Sequence, residues 1–269
     1  MFGTHILHTV RPGDTVYSLS IQYESTVDAI TRANTLYPPF VDPYVIYPNQ
    51  LLIIPKWISG ETVTLYVIQP GDTVGMLSQQ FSAYPELLAG INRTIHNPNF
   101  ILPNQQIQIP AVIYEVETGD TLAGISERTG IALPVIMQAN ARIAHFSPDV
   151  LMEGMRLIIP LPMSQNIVVT LPFPGFTIRD NQVIEGYARA FEATVLYRVV
   201  DDNEVVVTEE SFTTAEASGP VYGRFRDRIA FDREPTTGAG VLQVYTRSAK
   251  DGSVQDLVQT RVLFRVPGT

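Results

Sequence analysis

Residues Tyr66–Val74 read YVIQPGDTV, a short run of strand-forming residues halted by a Pro-Gly-Asp-Thr turn. The pattern returns at His8–Val16 as HTVRPGDTV and at Tyr114–Leu122 as YEVETGDTL, so the Gly-Asp-Thr triplets begin at Gly13, Gly71 and Gly119. An asparagine follows each glycine by 21 residues, at Asn34, Asn92 and Asn140. A closing block recurs as PNQLLIIP (48–55), PNQQIQIP (103–110) and EGMRLIIP (153–160), with a proline (Pro43, Pro98, Pro148) always 12 residues before the last one. Only the stretch between the asparagine and that proline changes length, with spacings of 9, 6 and 8 residues. A repeat that varies at one place only is a structural unit with one tolerant surface loop.

Each unit reads as strand, helix, helix, strand. In the second copy Thr64–Ile68 suits a short strand, and Asp72 or Thr73 can cap a helix whose apolar face is Val74, Leu77 and Phe81. The matching face is Val16, Leu19 and Tyr23 in the first copy, and Leu122 and Ile125 in the third, where Thr129-Gly130 closes the helix. A second helix leads to the asparagine, and Pro85 and Pro134 fall in its first turn, where a missing amide hydrogen costs nothing. Asn49, Asn104 and Gly154 are the residue types that accept a left-handed turn before the last strand. A two-stranded antiparallel sheet covered by two helices is therefore expected in each copy, near the lower size limit for an unstapled domain.

On these residues each repeat resembles a LysM domain, the small peptidoglycan- and chitin-binding module. The resemblance implies a shallow groove between the strand-to-helix loop and the helix-to-strand loop, holding N-acetylglucosamine units largely through main-chain hydrogen bonds. Carried onto this chain, the glycan-binding positions of the first loop are Gly13, Asp14, Thr15 and Val16, then Gly71, Asp72, Thr73 and Val74, then Gly119, Asp120, Thr121 and Leu122. The second loop centres on Ile46, Ile101 and Leu151, where an apolar floor would meet the acetamide methyl. The competing reading gives Asp and Thr to helix capping and the three apolar residues to the core.

The 269 residues are 45% hydrophobic and 17% charged, a globular composition with no apolar run long enough for a membrane-spanning helix. The net charge of −9 disfavours nucleic acid as a partner, since phosphate binding needs a basic footprint. The first repeat begins within ten residues of Met1, so no leader segment is expected ahead of it in this chain. The absence of cysteine rules out disulfides, thiolate metal sites and a cysteine nucleophile. The four histidines, His5, His8, His96 and His145, show no metal-ligand spacing; His8, at the strand position of Tyr66 and Tyr114, reads as strand or surface filler. No hydrolase or phosphate-loop motif is present, so no enzyme, cofactor or metal is expected.

Beyond Pro160 the helical period gives way to alternating apolar runs. Seven strands are expected, over 167–171, 183–190, 191–200, 204–212, 221–231, 241–248 and 257–266, the number of a simple immunoglobulin-like sandwich. Ile184, Gly186, Ala188 and Ala190 share one face, while Phe191, Ala193, Val195, Tyr197 and Val199 take the opposite parity, which predicts a bulge or corner near Ala190. The only tryptophan, Trp57, lies in a linker, so the antibody-type core is missing. The stretches LPFPGFTI, GYARAFEATVLYRVVDD and SAKDGS resemble the immunoglobulin-like domain associated with bacterial spore germination. Arg224, Arg226 and Arg228 make one strand face basic, read as a solvated face or as an anion contact.

The expected architecture is multidomain, α+β and then all-β: three βααβ LysM modules at 5–56, 62–111 and 112–161, and an immunoglobulin-like β-sandwich at 165–267. By resemblance the expected partners are peptidoglycan or chitin oligosaccharides, with a spore or cell-wall protein docking on the sandwich, and the expected place is a bacterial wall or spore envelope. The alternative is a structural spore-coat or germination-associated protein whose modules bind other proteins.

Overall fold

The computed structural model describes residues 3–36, 44–56, 62–143 and 146–265. Tyr37, Pro38, Pro39, Phe40 and Pro43 of the variable segment, with Trp57 and His145, lie outside the described residues. The chain divides into two compact units, one of Met1–Ser82, Thr94–Ile125 and Ala132–Pro160, the other of Ala83–Arg93, Ser126–Ile131 and Leu161–Thr269.

The first repeat runs β1 (Thr4–Thr9), α1 (Val16–Gln22), α2 (Val27–Ala33) and β2 (Leu51–Lys56). The second runs β3 (Thr64–Val67), α3 (Val74–Gln80), α4 (Pro85–Gly90) and β4 (Gln106–Ile109), and the third β5 (Ala111–Glu115), α5 (Leu122–Thr129), α6 (Leu133–Asn140) and β6 (Arg156–Pro160). The expected βααβ order thus recurs three times. The prolines sit where helix geometry tolerates them, Pro85 and Pro134 at the first or second position of α4 and α6.

Only the third repeat keeps the expected two-stranded sheet, β5 with β6. In the first two repeats the expectation needs correction, because β1 also pairs in parallel with β3 to give one four-stranded sheet in the order β2-β1-β3-β4. All six residues of β1 are buried, which fits a strand with neighbours on both edges. The core of the first repeat (Ile6, Leu19, Ile30, Leu52 and Ile54 among others) accordingly takes in Val67 from the second. Fusion removes two exposed strand edges and enlarges a core that would be marginal in a single repeat. The third repeat is tied in through Leu51, whose amide donates to Arg142 O at 3.0 Å.

The C-terminal sandwich contains β7 (Ile167–Leu171), β8 (Phe176–Ile178), β9 (Gln182–Ala188), β10 (Thr194–Asp201), β11 (Val206–Thr214), β12 (Gly223–Ile229), β13 (Ala239–Arg247) and β14 (Val254–Phe264). A five-stranded sheet ordered β11-β10-β13-β14-β8 faces a three-stranded sheet ordered β12-β9-β7. The seven expected strands are present, and β8 is added, three residues paired in parallel with β14 and too short for periodicity to reveal. The corner near Ala190 is real: the chain leaves one sheet after Ala188 and enters the other at Thr194, turning through Ala193 at φ 59°. Phe191 belongs to this corner and is 81% exposed, so it does not share the inward face of Val195, Tyr197 and Val199. Phe225 packs over Gly186, where an added Cβ would lie 2.6 Å from the ring.

Candidate functional site

The three letters of Gly-Asp-Thr do three separate jobs, repeated in every copy. Gly13, Gly71 and Gly119 sit at φ 91°, 91° and 87°, a region that side-chain-bearing residues avoid. The aspartates do not cap the helix. Their carboxylates turn back to accept the amides of Arg11, Gln69 and Glu117 at 2.7, 2.7 and 2.8 Å, locking the turn. Capping falls to the threonines: Thr15, Thr73 and Thr121 Oγ1 accept from Ser18, Met76 and Gly124 amides at 3.0, 3.1 and 3.0 Å. Of the two cap residues left open by the pattern, threonine is the one used.

Burial follows the same rhythm. In each loop glycine and threonine are exposed, aspartate is half-buried, and Val16, Val74 or Leu122 is buried as the first core residue of its helix. Asn49, Asn104 and Gly154 take the expected left-handed conformation at φ 75°, 71° and 81°. Their amides donate to Val10, Ile68 and Val116 carbonyls at 2.9, 2.9 and 2.8 Å, tying the closing turn to the start of the first loop. Ile46, Ile101 and Leu151 are all half-buried. Ile46 packs against the first repeat's core while keeping part of its surface open.

The recurring asparagine positions these loops and does not belong to them. Asn34 Nδ2 donates to Ile30 O at 2.8 Å and Ile53 O at 2.7 Å, and its Oδ1 accepts from Ile53 N at 2.8 Å. Asn140 does the same with Ile136 and Ile158. The side chain is buried in all three repeats. In the first and third it clamps the end of the second helix to the last strand, and in the second Asn92 Nδ2 donates to Leu88 O at 2.8 Å.

His8 is the main departure among the repeats, and it is not a filler residue. Its ring is buried, with Nε2 2.8 Å from Asp14 Oδ2 and Nδ1 2.8 Å from the Tyr23 hydroxyl. In the other repeats the Tyr66 and Tyr114 hydroxyls hold the corresponding aspartates. Burial lowers the His8 pKa, partly opposed by the hydrogen bond to Asp14. A neutral imidazole donating Nε2–H to the carboxylate and accepting the Tyr23 proton at Nδ1 satisfies every group.

On the sandwich, two of the three arginines on the basic strand face share one carboxylate. Glu185, across the ladder, receives Arg224 at 2.7 Å and Arg226 at 3.0 Å, and Arg228 donates to Asn181 O at 3.1 Å. This favours the solvated-face reading. Among the described residues no group of three or more metal-ligating side chains is present, and no helix is long and apolar enough to cross a membrane.

Residues 8–55, 66–110 and 114–160 match the family model described as LysM domain, together more than half of the chain, and residues 166–253 match the immunoglobulin-like domain of bacterial spore germination. The chain is 29% identical over 128 residues to YdhD of Bacillus subtilis, named for a sporulation-specific glycosylase, covering 46% of this chain and 29% of that protein. It is 23% identical over 174 residues to the N-acetylmuramoyl-L-alanine amidase sle1 of Staphylococcus epidermidis, covering 57% and 50%. The chain therefore spans half or less of the length of these relatives. The Bacillus cereus spore cortex-lytic enzyme SleL is 31% identical over 39% of this chain and 22% of that one, with a TM-score of 0.29.

Proposed function

Because the chain belongs to the LysM family, we propose that it is a non-catalytic, multivalent binder of N-acetylglucosamine-containing glycan, peptidoglycan before chitin, acting at a bacterial wall or spore envelope. The observation that carries this reading is the threefold repetition of one loop pair, with exposed glycine and threonine beside a half-buried apolar floor at Ile46, Ile101 or Leu151. A sugar acetamide needs a peptide-lined edge and a methyl-sized apolar contact, and each pair offers both. The aspartates serve by holding the loop, so Asp14, Asp72 and Asp120 contribute to binding through main-chain shape. Val16, Val74 and Leu122 act likewise from the core side.

One small groove binds weakly, but several on one polymer raise avidity by roughly 10²- to 10⁴-fold where the spacing allows simultaneous contact. The sandwich, with its match to a germination-associated domain, is the part assigned to docking or presentation. The matches to lytic enzymes cover only part of those proteins, and neither matched family model is described as catalytic.

A sedimentation assay on purified peptidoglycan, chitin and a glycan-free coat fraction tests the reading. The full chain is expected to be retained by the glycans, and Ile46→Ser, Ile101→Ser and Leu151→Ser combined are expected to abolish retention while the circular dichroism spectrum is unchanged. Retention by the coat fraction alone would instead establish a protein-binding role.

A further inference from the structure

Between the three repeats lies a cavity of about 950 Å³ that shares only Asp72 with the glycan-contact positions named above. Arg11 and Asn49 come to it from the first repeat, Gln69, Gln80 and Asn104 from the second, and Gln138 and Arg142 from the third. Its walls are held by bonds that cross repeats. Arg11 donates through Nε to Gln69 Oε1 at 2.9 Å and through Nη1 to Asn104 Oδ1 at 2.6 Å; Arg142 Nη2 donates to Thr9 Oγ1 at 3.0 Å; Gln138 Nε2 donates to Gln79 O at 2.6 Å.

Two features of this lining ask for a ligand. The first is a surplus of donors: Arg11 Nη2 and Gln80 Nε2 are buried with no hydrogen-bond partner among the described residues. Buried donors without acceptors are costly, most of all on a charged group; neither atom is open to the cavity as it stands, and a turn of its side chain toward a bound acceptor would remove that cost. The second is charge. The lining holds two arginines and one carboxylate, in a chain of net charge −9, and that carboxylate, Asp72, already accepts from the Tyr66 hydroxyl at 2.9 Å and the Gln69 amide at 2.7 Å. Neutral amide oxygens hold the Arg11 guanidinium in place, so its positive charge is left for an incoming anion.

We infer that this inter-repeat cavity binds the carboxylate-bearing peptide side chains of peptidoglycan, with Arg11 and Arg142 as the carboxylate contacts. The amide side chains around them offer both donors and acceptors, as peptide groups require, and the volume falls in the range of pockets that hold small organic ligands. Chitin carries neither peptide nor carboxylate, so the cavity gives the array a preference between two polymers that its sugar grooves alone would not distinguish. This rests on the glycan reading proposed above and names the polymer within it.

The test is calorimetry on the full chain with three oligosaccharides of equal length: a chitin oligomer, a peptidoglycan fragment bearing its peptides, and that fragment with the peptide carboxylates converted to methyl esters. The peptide-bearing fragment is expected to bind about tenfold more tightly than the chitin oligomer at low salt, the scale of a charge-assisted hydrogen bond. Esterification should remove the advantage. So should Arg11→Gln and, separately, Arg142→Gln, each leaving the chitin oligomer's affinity unchanged, which also shows that the variants are folded. Equal affinity of wild type for the chitin oligomer and the peptide-bearing fragment, or a preference that survives both substitutions, overturns the cavity assignment and leaves the groove reading standing. Failure of all three oligosaccharides to bind the folded wild type overturns the groove reading first and the cavity assignment with it.

Discussion

His8 Nε2 lies 2.8 Å from Asp14 Oδ2, the place where the second and third repeats put a tyrosine hydroxyl. The swap is compensated one layer deeper. Tyr23 meets His8 in the first repeat, with ring centroids 5.4 Å apart, whereas Phe81 meets Tyr66 in the second at 5.8 Å. A histidine with a free nitrogen needs a hydroxyl beside it, and a tyrosine already bonded to the aspartate does not.

His8→Tyr alone should therefore destabilise the chain by about 1–3 kcal/mol, because the Tyr23 hydroxyl loses its buried acceptor. Adding Tyr23→Phe should restore most of the loss by rebuilding the pair of the second repeat. Urea denaturation of both single variants and the double variant measures the coupling; additive losses would show that the pairs are not interchangeable.

His5 is buried, its Nδ1 3.1 Å from Gly3 O, and burial followed by the charge of Arg156 lowers its pKa to about 4. The folded state holds the neutral ring, while the unfolded chain takes up a proton near pH 6.5. Stability is thus fully present above pH 6.5 and is lost as the pH falls to about 4, by about 3 kcal/mol. His8, lowered in the same direction, adds to the same slope. Denaturation midpoints at pH 7 and pH 4.5 should differ clearly for wild type and much less for His5→Leu.

Asn140→Ala removes three buried hydrogen bonds and strands the Ile158 amide and two carbonyls. A loss of about 3 kcal/mol is expected, with hydrogen exchange accelerating first at Ile158. Protection at Ile158 equal to wild type would show that the clamp is dispensable.

In the Gly-Asp-Thr turn, Thr73→Ala should cost about 1 kcal/mol, the worth of one helix cap. Gly71→Ala should cost as much or more through backbone strain alone, since nothing lies within 4 Å of an added Cβ. Thermal denaturation of the two variants separates strain from capping.

Binding of neutral N-acetylglucosamine oligomers should change little between low and moderate ionic strength, because acetamide contacts carry no charge. Calorimetry at two salt concentrations checks this, and a collapse of affinity at moderate salt would point to a charge-driven partner.

The repeat order, the turn-forming glycines and asparagines, and the sandwich corner near Ala190 were legible because each rests on local backbone preference or on the parity of a single strand. The threonine caps were legible only as one of two candidates, since either side chain type can accept a first-turn amide, and the aspartate locks, which turn back to Arg11, Gln69 and Glu117, were not legible at all.

By itself the sequence determined three βααβ units, an all-β end and the positions of the loops, because spacing and residue type act over a few residues at a time. Only the tertiary structure decided that β1 pairs with β3 and that Arg11 reaches Gln69 and Asn104. It likewise decided that Glu185 of β9 pairs with Arg224 and Arg226 of the basic strand. Those contacts join residues 39 to 93 positions apart, and no local pattern encodes them. They form because unpaired strand edges and buried charges must find partners wherever the packed chain places them.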